Sequence, residues 1–376
     1  MGFYMKNVIL VFANYGPYHF ARLNAFHTAC KQLGWNAVGL EFSRTEQLYP
    51  WRVDIQNLPS NLITIDPGKM VEEIGKFELV KKLFKTLNQH QPNVLVIAGY
   101  SPFAMLATMV WGRLHTIPVI LMTDSKEDDS RRHFLIEELK KNIIRCYQAA
   151  LVAGSPQKRY LMKLGMSSKK IFTGYDVVDN QFFHQIKTRE FKNPISKPFF
   201  LVVSRFVKKK NLRRLIEAYA IYYHRSGPDA WDLVLCGDGE LRRDIENQIL
   251  NLNLESCVHL TGFLQSSEQL PYFSNAKCFI HASTQEQWGL VVNEAMASGL
   301  PVLISRKCGC FEDLVLEGKN GFGFDPEDTI ELANLLIKMS SGEVNLSEFA
   351  EVSLNHIQNF SPSIFAKSLV KAIQCY

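Results

Sequence analysis

Short apolar runs alternate with amphipathic stretches along the first half of the chain. NVILVFA (Asn7–Ala13) leads into a helical pattern in HFARLNAFHTACKQLGW, and AVGLEF, LITID, VLVIAG, PVILM and ALVAG follow as further apolar runs. Near-continuous apolar strands separated by helices mark a parallel sheet covered on both faces. The pattern therefore predicts a doubly wound α/β half. A second series starts near residue 198 with PFFLVVS, a helix in NLRRLIEAYAIYYHR, and then WDLVLCG, CVHLTG, KCFIHA and PVLIS. Between the two series FKNPISKP (Phe191–Pro198) places two prolines among polar residues and reads as a linker. The expected architecture is α/β, with Rossmann-like units over 1–193 and 194–355. A C-terminal helix over 356–376 either packs on the second half or crosses back to the first, and periodicity leaves both placements open. Ligands of such open sheets sit at the carboxyl ends of strands, so two facing halves would form a cleft.

The chain of 376 residues is 47% hydrophobic and 21% charged, which suits packed globular structure and excludes a largely disordered chain. At about 150 residues per domain the length agrees with two. No apolar run approaches the ~20 residues of a spanning helix. The start lacks the basic and long apolar regions of a secretory leader. A cytoplasmic location is expected. The net charge of +5 permits a basic patch for phosphates, or peripheral contact with the inner face of a membrane. No Arg-rich aromatic array points to nucleic acid. Eight scattered cysteines without a CxxC pair read as buried, reduced thiols.

The segment richest in chemistry is STQEQWGLVVNEAMASGLP, Ser283–Pro301. A strand ends, a loop carries Glu286, and a helix starts near Gly289. The first-turn amides of Gly289, Leu290 and Val291 would face an anion docked there, aided by the helix dipole. Glu294 follows five residues later, about 7.5 Å along the axis, with its side chain leaning back toward the helix start. A phosphate at the helix start and a ribose held by Glu294 would fit one nucleotide, with Glu286 reaching hydroxyls beyond the phosphates. Taken singly, the two glutamates also read as a loop acid and a solvated helix residue.

Glu286 and Glu294 form an E-x7-E pattern, and EQWGLVVNEAMASGLPV resembles the signature of retaining GT-B glycosyltransferases of family 4. LVVSRFVKKKNLRRLIEAY, LVLCGDGELR and VHLTGF resemble further landmarks of that family, so the likeness covers nearly the whole second half. It implies that Arg205 and Lys210 hold the diphosphate of a nucleotide-sugar donor, and that backbone groups around Phe263 and Leu264 hold the base. Two cations already in place would stabilise a departing diphosphate without a metal. Lys208 and Lys209 read as solvated neighbours, and Ser204 stands where the family usually has Gly.

In the first half the resemblance is architectural and patchy. NYGPYHFARL gives Gly16 as a close-approach residue and His19 as a contact to donor or acceptor, or else a packing or capping residue. Asp124 falls where many members have a functional His; it either accepts a hydrogen bond from sugar or acceptor or caps a turn. Asp128, Asp129, Arg131 and Arg132 read as a solvated face, and Asp179 and Asn180 as turn residues. Aromatics such as Tyr49, Trp51 and Phe103 suit a lipid-linked sugar, a polysaccharide or a small aglycone.

The resemblance implies a hexosyl transfer from a UDP-sugar, or a GDP-sugar, to a hydroxyl acceptor with retention, in glycan, polysaccharide or glycolipid biosynthesis. No cofactor or metal is expected, because neither Asp325–Asp328 nor Glu127–Asp129 gives a D-x-D in convincing context. Two alternatives stand beside it. A GT-B-fold nucleotide-sugar epimerase would need catalytic carboxylates in the first half, and a non-catalytic binder would leave both cations and both glutamates without work.

Overall fold

The computed structural model describes residues 6–45, 61–129, 132–187 and 189–375. Tyr49, Trp51 and Arg131 lie outside them. The order opens β1 (Asn7–Phe12), α1 (Pro17–Gln32), β2 (Asn36–Glu41), β3 (Leu62–Thr64), α2 (Lys76–His90), β4 (Val94–Ala98), α3 (Phe103–Leu114), β5 (Val119–Thr123), α4 (Phe134–Ile144), β6 (Ala149–Val152), α5 (Ser155–Lys163) and β7 (Ile171–Thr173). It continues with α6 (Asn180–His184), β8 (Phe199–Val203), α7 (Leu212–Ser226), β9 (Asp232–Cys236), α8 (Arg242–Asn251), β10 (Val258–Gly262), α9 (Ser266–Asn275), β11 (Cys278–His281), α10 (Leu290–Ala297), β12 (Val302–Ser305), α11 (Phe311–Leu314), β13 (Gly321–Phe324), α12 (Thr329–Ser340), α13 (Leu346–Ile357) and α14 (Pro362–Gln374).

Met1–Val178 with Phe360–Tyr376 form one compact unit, and Asp179–Asn359 the other. In the first, seven parallel strands run in the order β3-β2-β1-β4-β5-β6-β7. Strand alternation sends Ile9, Val11, Leu95 and Ile97 to one face, against Leu83, Leu87 and Met109. Val8, Leu10, Val94 and Val96 go to the other, against Leu23 and Phe26 of α1 and Phe365 and Leu369 of α14. The second unit has six parallel strands in the order β10-β9-β8-β11-β12-β13. Phe200, Val202, Leu233 and Leu235 pack there with Leu215, Tyr219, Leu332 and Leu336. These are the two Rossmann-like α/β domains expected of a GT-B chain.

The division falls near residue 178 rather than 193, and the polar segment 191–198 lies within the second unit, ahead of β8. The cause is local. Asp179 caps α6, its carboxylate accepting from the Gln181 and Phe182 amides at 3.0 and 3.2 Å. Asn180 donates to the Ile357 carbonyl at 3.0 Å, and α6 packs on α10. That tie carries residues 179 onward into the second unit.

In each sheet the strand order reverses beside its first strand, between β1 and β4 and between β8 and β11. At such a switch point the loops part at the carboxyl ends and open a crevice.

Candidate functional site

The loop after β8 is pinned by the exit of β9. The Ser204 amide donates to Cys236 at 2.9 Å and that of Phe206 to Asp238 at 2.8 Å, so the backbone of Arg205 is fixed on either side. Gly237 makes this approach possible, since a Cβ there would lie 1.8 Å from the Ser204 carbonyl oxygen. Among the described residues the buried Ser204 hydroxyl has no hydrogen-bond partner, a local consequence of the departure from Gly. A short turn over Lys208–Lys210 follows, and Asn211 takes a left-handed φ of 59° to start α7. The Lys209 carbonyl then accepts from the Thr284 amide at 2.9 Å. This bond ties the loop after β8 to the loop after β11 across the switch point of the second sheet.

Lys210 and Glu286 meet there as an ion pair. Three donors converge on one carboxylate oxygen, Oε2 of Glu286: the Lys210 ammonium, His281 Nε2 at 3.2 Å and the Ser283 hydroxyl at 3.2 Å. None of the three reaches the other oxygen, Oε1. Burial raises the Glu286 carboxyl, but His281 and Lys210 outweigh it and hold the group well below the usual carboxylate range. Burial lowers His281 more than Glu286 raises it, so the imidazole is neutral at pH 7. An ionised carboxylate can only accept, which places the imidazole proton on Nε2.

Gly289 opens α10 at φ 110°, in the left-handed region. The Val292 amide already donates to the Gly289 carbonyl at 2.9 Å, so the amides of Gly289, Leu290 and Val291 precede the bonded turn. Glu294 is buried at 2% exposure, which removes the reading of a solvated helix glutamate. Trp288, also buried, donates through Nε1 to Asn293 at 2.9 Å and fixes the helix start from behind. Phe263 and Leu264 follow β10, two strands away from β8; Phe263 is 44% exposed and the Leu264 carbonyl accepts from Gln269 at 2.8 Å. The structure thus brings Arg205, Lys210, Glu286, Gly289 and the first turn of α10 to one switch point.

The remaining candidates belong to the first unit. His19 accepts from the Gly16 amide through Nδ1 at 3.1 Å and lies against Phe12, ring centroids 4.4 Å apart. Gly16 itself is extended at φ −86°, so its backbone conformation does not require glycine. After β5 the turn is shaped by Thr123, which accepts from Ser125 at 3.2 Å, and Asp129, which accepts from Lys126 at 2.8 Å. Asp129 is half-buried and Lys126 buried, so that charged run is not simply a solvated face.

Sequence reasoning missed His281 and Ser283, and also Arg22 and Asp176. The last two are buried and paired at 3.2 Å, with Arg22 Nε donating to Val177 at 3.1 Å. The spacing His281-x-Ser283-x-x-Glu286 at a strand exit was the available signal for the first pair.

Burial, and then the Asp176 carboxylate, push Asp124 up to about 7 from an ordinary value of 3.8. A raised carboxyl contributes stability fully below pH 3.8 and loses it as pH rises toward 7. Burial, and then Arg22, hold His19 down to about 3 from 6.5. Its contribution is full above pH 6.5 and is lost as pH falls, so the two slopes oppose each other. Asp124→Asn removes one of them. In urea denaturation the variant should gain on the wild type as pH is raised from about 4 to 7. A constant or shrinking difference refutes the shift.

Six of the eight cysteines are buried, Cys146 is half-buried and Cys375 exposed, and all eight are free thiols. Among the described residues no group of three or more His, Cys, Asp or Glu could hold a metal ion. No helix there is long and apolar enough to cross a membrane.

Residues 185–353 match the family model of glycosyl transferases group 1. Two relatives are similar to parts of the chain. One is an alpha-monoglucosyldiacylglycerol synthase from Acholeplasma laidlawii, 30% identical over 171 residues (45% of this chain, 41% of that one). The other is the amylovoran biosynthesis glycosyltransferase AmsK from Erwinia amylovora, 29% identical over 229 residues (58% and 54%). The chain spans about half the length of these relatives. HepE from Anabaena, solved with UDP and glucose, superposes with a TM-score of 0.75 at 18% identity over 99% of this chain and 100% of that one. That likeness is one of fold, and it extends through both units.

Proposed function

We propose that this chain transfers a hexosyl group from a nucleoside diphosphate sugar, a UDP-sugar by preference, to a hydroxyl acceptor with retention at the anomeric carbon, and that the reaction needs no metal. The reading rests on the group 1 match and on one observation above the rest: Lys210, His281 and Ser283 each direct a hydrogen bond to Oε2 of Glu286. Oε1 is left to accept from a sugar hydroxyl. The carboxylate is oriented before a ligand arrives, so no reorganisation opposes binding.

The chemistry follows from these groups. The bond between the anomeric carbon and the diphosphate oxygen breaks as the acceptor oxygen bonds to the same face. The acceptor proton passes to a phosphate oxygen of the leaving group, so no strong protein base is required. Negative charge grows on the diphosphate, and Arg205, Lys210 and the first amides of α10 are the groups that would stabilise it. Arg can grip two phosphate oxygens, while Lys acts as a point charge. Glu294 would take the ribose, and Phe263 and Leu264 the base. In the first unit His19 and Asp124 would line the acceptor side. The acceptor belongs to glycan or glycolipid biosynthesis, reached from the cytoplasm or at the inner face of a membrane.

A thermal-shift screen with UDP, GDP and ADP sugars tests the donor. A ligand at 100 times its Kd adds about 2.7 kcal/mol of stability. Glu294→Gln, which keeps the shape but not the charge, should weaken the responding donor by about 10- to 100-fold, the worth of a charged hydrogen bond of about 1.5–3 kcal/mol. An undiminished shift in the variant overturns the ribose assignment.

One observation favours a second reading. Asp124, raised beside Asp176, gives the first unit the carboxylates that an epimerase would need. Incubating the donor alone separates the two: an epimerised nucleotide sugar, formed without acceptor, would favour the epimerase.

A further inference from the structure

The first unit contains a cavity of about 450 Å³ at the carboxyl ends of β1, β2 and β4, the switch point of its own sheet. Its lining is largely apolar, with Phe12, Phe42, Ile74, Leu79, Phe103 and Met105 prominent. Among the described residues the polar lining comes from two places. Asn14 and His19 belong to the turn after β1, and Glu72 and Lys76 to the segment entering α2. A volume of about 150 Å³ suffices for a benzene ring, so this space is roughly three times what one aromatic ring requires.

The apolar character continues outward. Phe103 is 47% exposed and meets Phe77, which is 83% exposed, edge to face at 5.8 Å. Eleven of the fourteen exposed large apolar side chains among the described residues belong to the first unit, including Phe134, Leu135, Ile136 and Leu139 on α4. The Phe77–Phe103 pair extends the apolar lining from the cavity wall to the surface, since Phe103 belongs to both. A compact ring would fill the cavity and leave the Phe77–Phe103 strip unused. A flexible alkyl chain would use both.

We propose that this cavity holds the alkyl chain of a lipid-borne acceptor, with its hydroxyl-bearing end beside His19 and Asn14. The proposal rests on the transferase reading for the word acceptor, and on the cavity itself for the chain. His19 suits the polar end: Nδ1 is occupied by the Gly16 amide, so the neutral ring carries its proton on Nε2, where it can donate to a hydroxyl oxygen.

The test titrates the full chain with 1-butanol, 1-hexanol and 1-octanol by calorimetry, and records the thermal shift with the responding nucleotide sugar in the same samples. Burial of each methylene is worth about 0.8 kcal/mol, so Kd should tighten about fourfold per methylene. Val71→Trp fills the cavity from a half-exposed position in its lining and should abolish that dependence while leaving the donor shift unchanged. Phe77→Ser, on the exposed rim, should weaken only 1-octanol, and it guards against a Val71 variant that fails to fold. A Kd indifferent to chain length, or unaffected by Val71→Trp while the donor shift persists, overturns the proposal. So would equal kcat/KM for acceptors with and without an alkyl chain. If the alkanol series behaves as stated but no nucleotide sugar shifts the protein, the cavity assignment is supported and the transferase reading is the one that fails.

Discussion

Lys210→Ala should lower the transfer rate by about 10²- to 10³-fold, the cost of removing one preorganised group that stabilises developing charge. Two effects act in the same direction. The variant loses the ammonium that would neutralise the departing diphosphate, and it strips Glu286 of its only cationic partner among the described residues. The carboxylate would remain beside a neutral His281 and the Ser283 hydroxyl, so its proton affinity should climb back toward the ordinary range. Its hold on the sugar should loosen as well. The proposed mechanism draws its stabilising charge from side chains, so EDTA should leave the wild-type rate unchanged. Lys210→Arg should recover part of the loss, since a guanidinium also binds phosphate. Circular dichroism and a thermal midpoint check that the variant is folded. A folded Lys210→Ala enzyme that keeps more than about a tenth of the rate would show that the term invoked, normally about 2.7–4 kcal/mol, is absent.

Strands were legible in the sequence wherever they were apolar on both faces. Val8 to Phe12, Val94 to Ile97 and Leu233 to Cys236 are buried nearly throughout and stood out as unbroken runs. The strands that escaped lack that mark. β13 reads GFGF, and Gly321 serves the close approach to β12, since a Cβ there would lie 2.0 Å from the Val302 carbonyl oxygen. β7 is a three-residue edge strand with Thr173 exposed. The packing of α14 on α1 and β7 was equally hidden, because an amphipathic helix states which face it buries and not against what.

The site divides in the same way. Arg205 with Lys210, and Glu286 with Gly289, were reachable through two motifs, each contiguous. His281 was absorbed into an apolar strand, KCFIHA, where nothing in the pattern distinguishes a core histidine from one aimed at a carboxylate. Arg22 and Asp176 stand 154 positions apart, and no local periodicity can announce such a pair. The charge of Asp124 depends on its burial and then on Asp176 of that distant pair. Its raised proton affinity is a property of the fold, invisible in the run TDSKEDD.

Gly237→Ala and Gly289→Ala should separate the needs of the fold from those of the site, although both glycines take positive φ, 145° and 110°. At Gly237 the added Cβ falls 1.8 Å from the Ser204 carbonyl oxygen and 2.9 Å from its carbon. Those are backbone atoms between two fixed hydrogen bonds, so relief requires moving β8 or β9. Backbone strain combined with a forced core shift belongs to the mechanisms that exceed about 4 kcal/mol, a large part of the 5–15 kcal/mol that holds a domain folded. At Gly289 the nearest atoms are Cys310 Sγ, Glu286 Cγ and His281 Nε2, all at 3.5 Å, which is ordinary contact distance. Only the left-handed conformation is then penalised, by about 1–2 kcal/mol. That chain should fold, but its new methyl would stand among Glu286, His281 and the opening amides of α10. Urea denaturation should therefore rank the variants Gly237→Ala far below Gly289→Ala. Thermal shift with the responding donor should be lost in Gly289→Ala despite its near-native stability. If Gly289→Ala binds donor like the wild type, the anion does not rest against that first turn. If Gly237→Ala is as stable as the wild type, the contact between the exits of β8 and β9 is not as close as described.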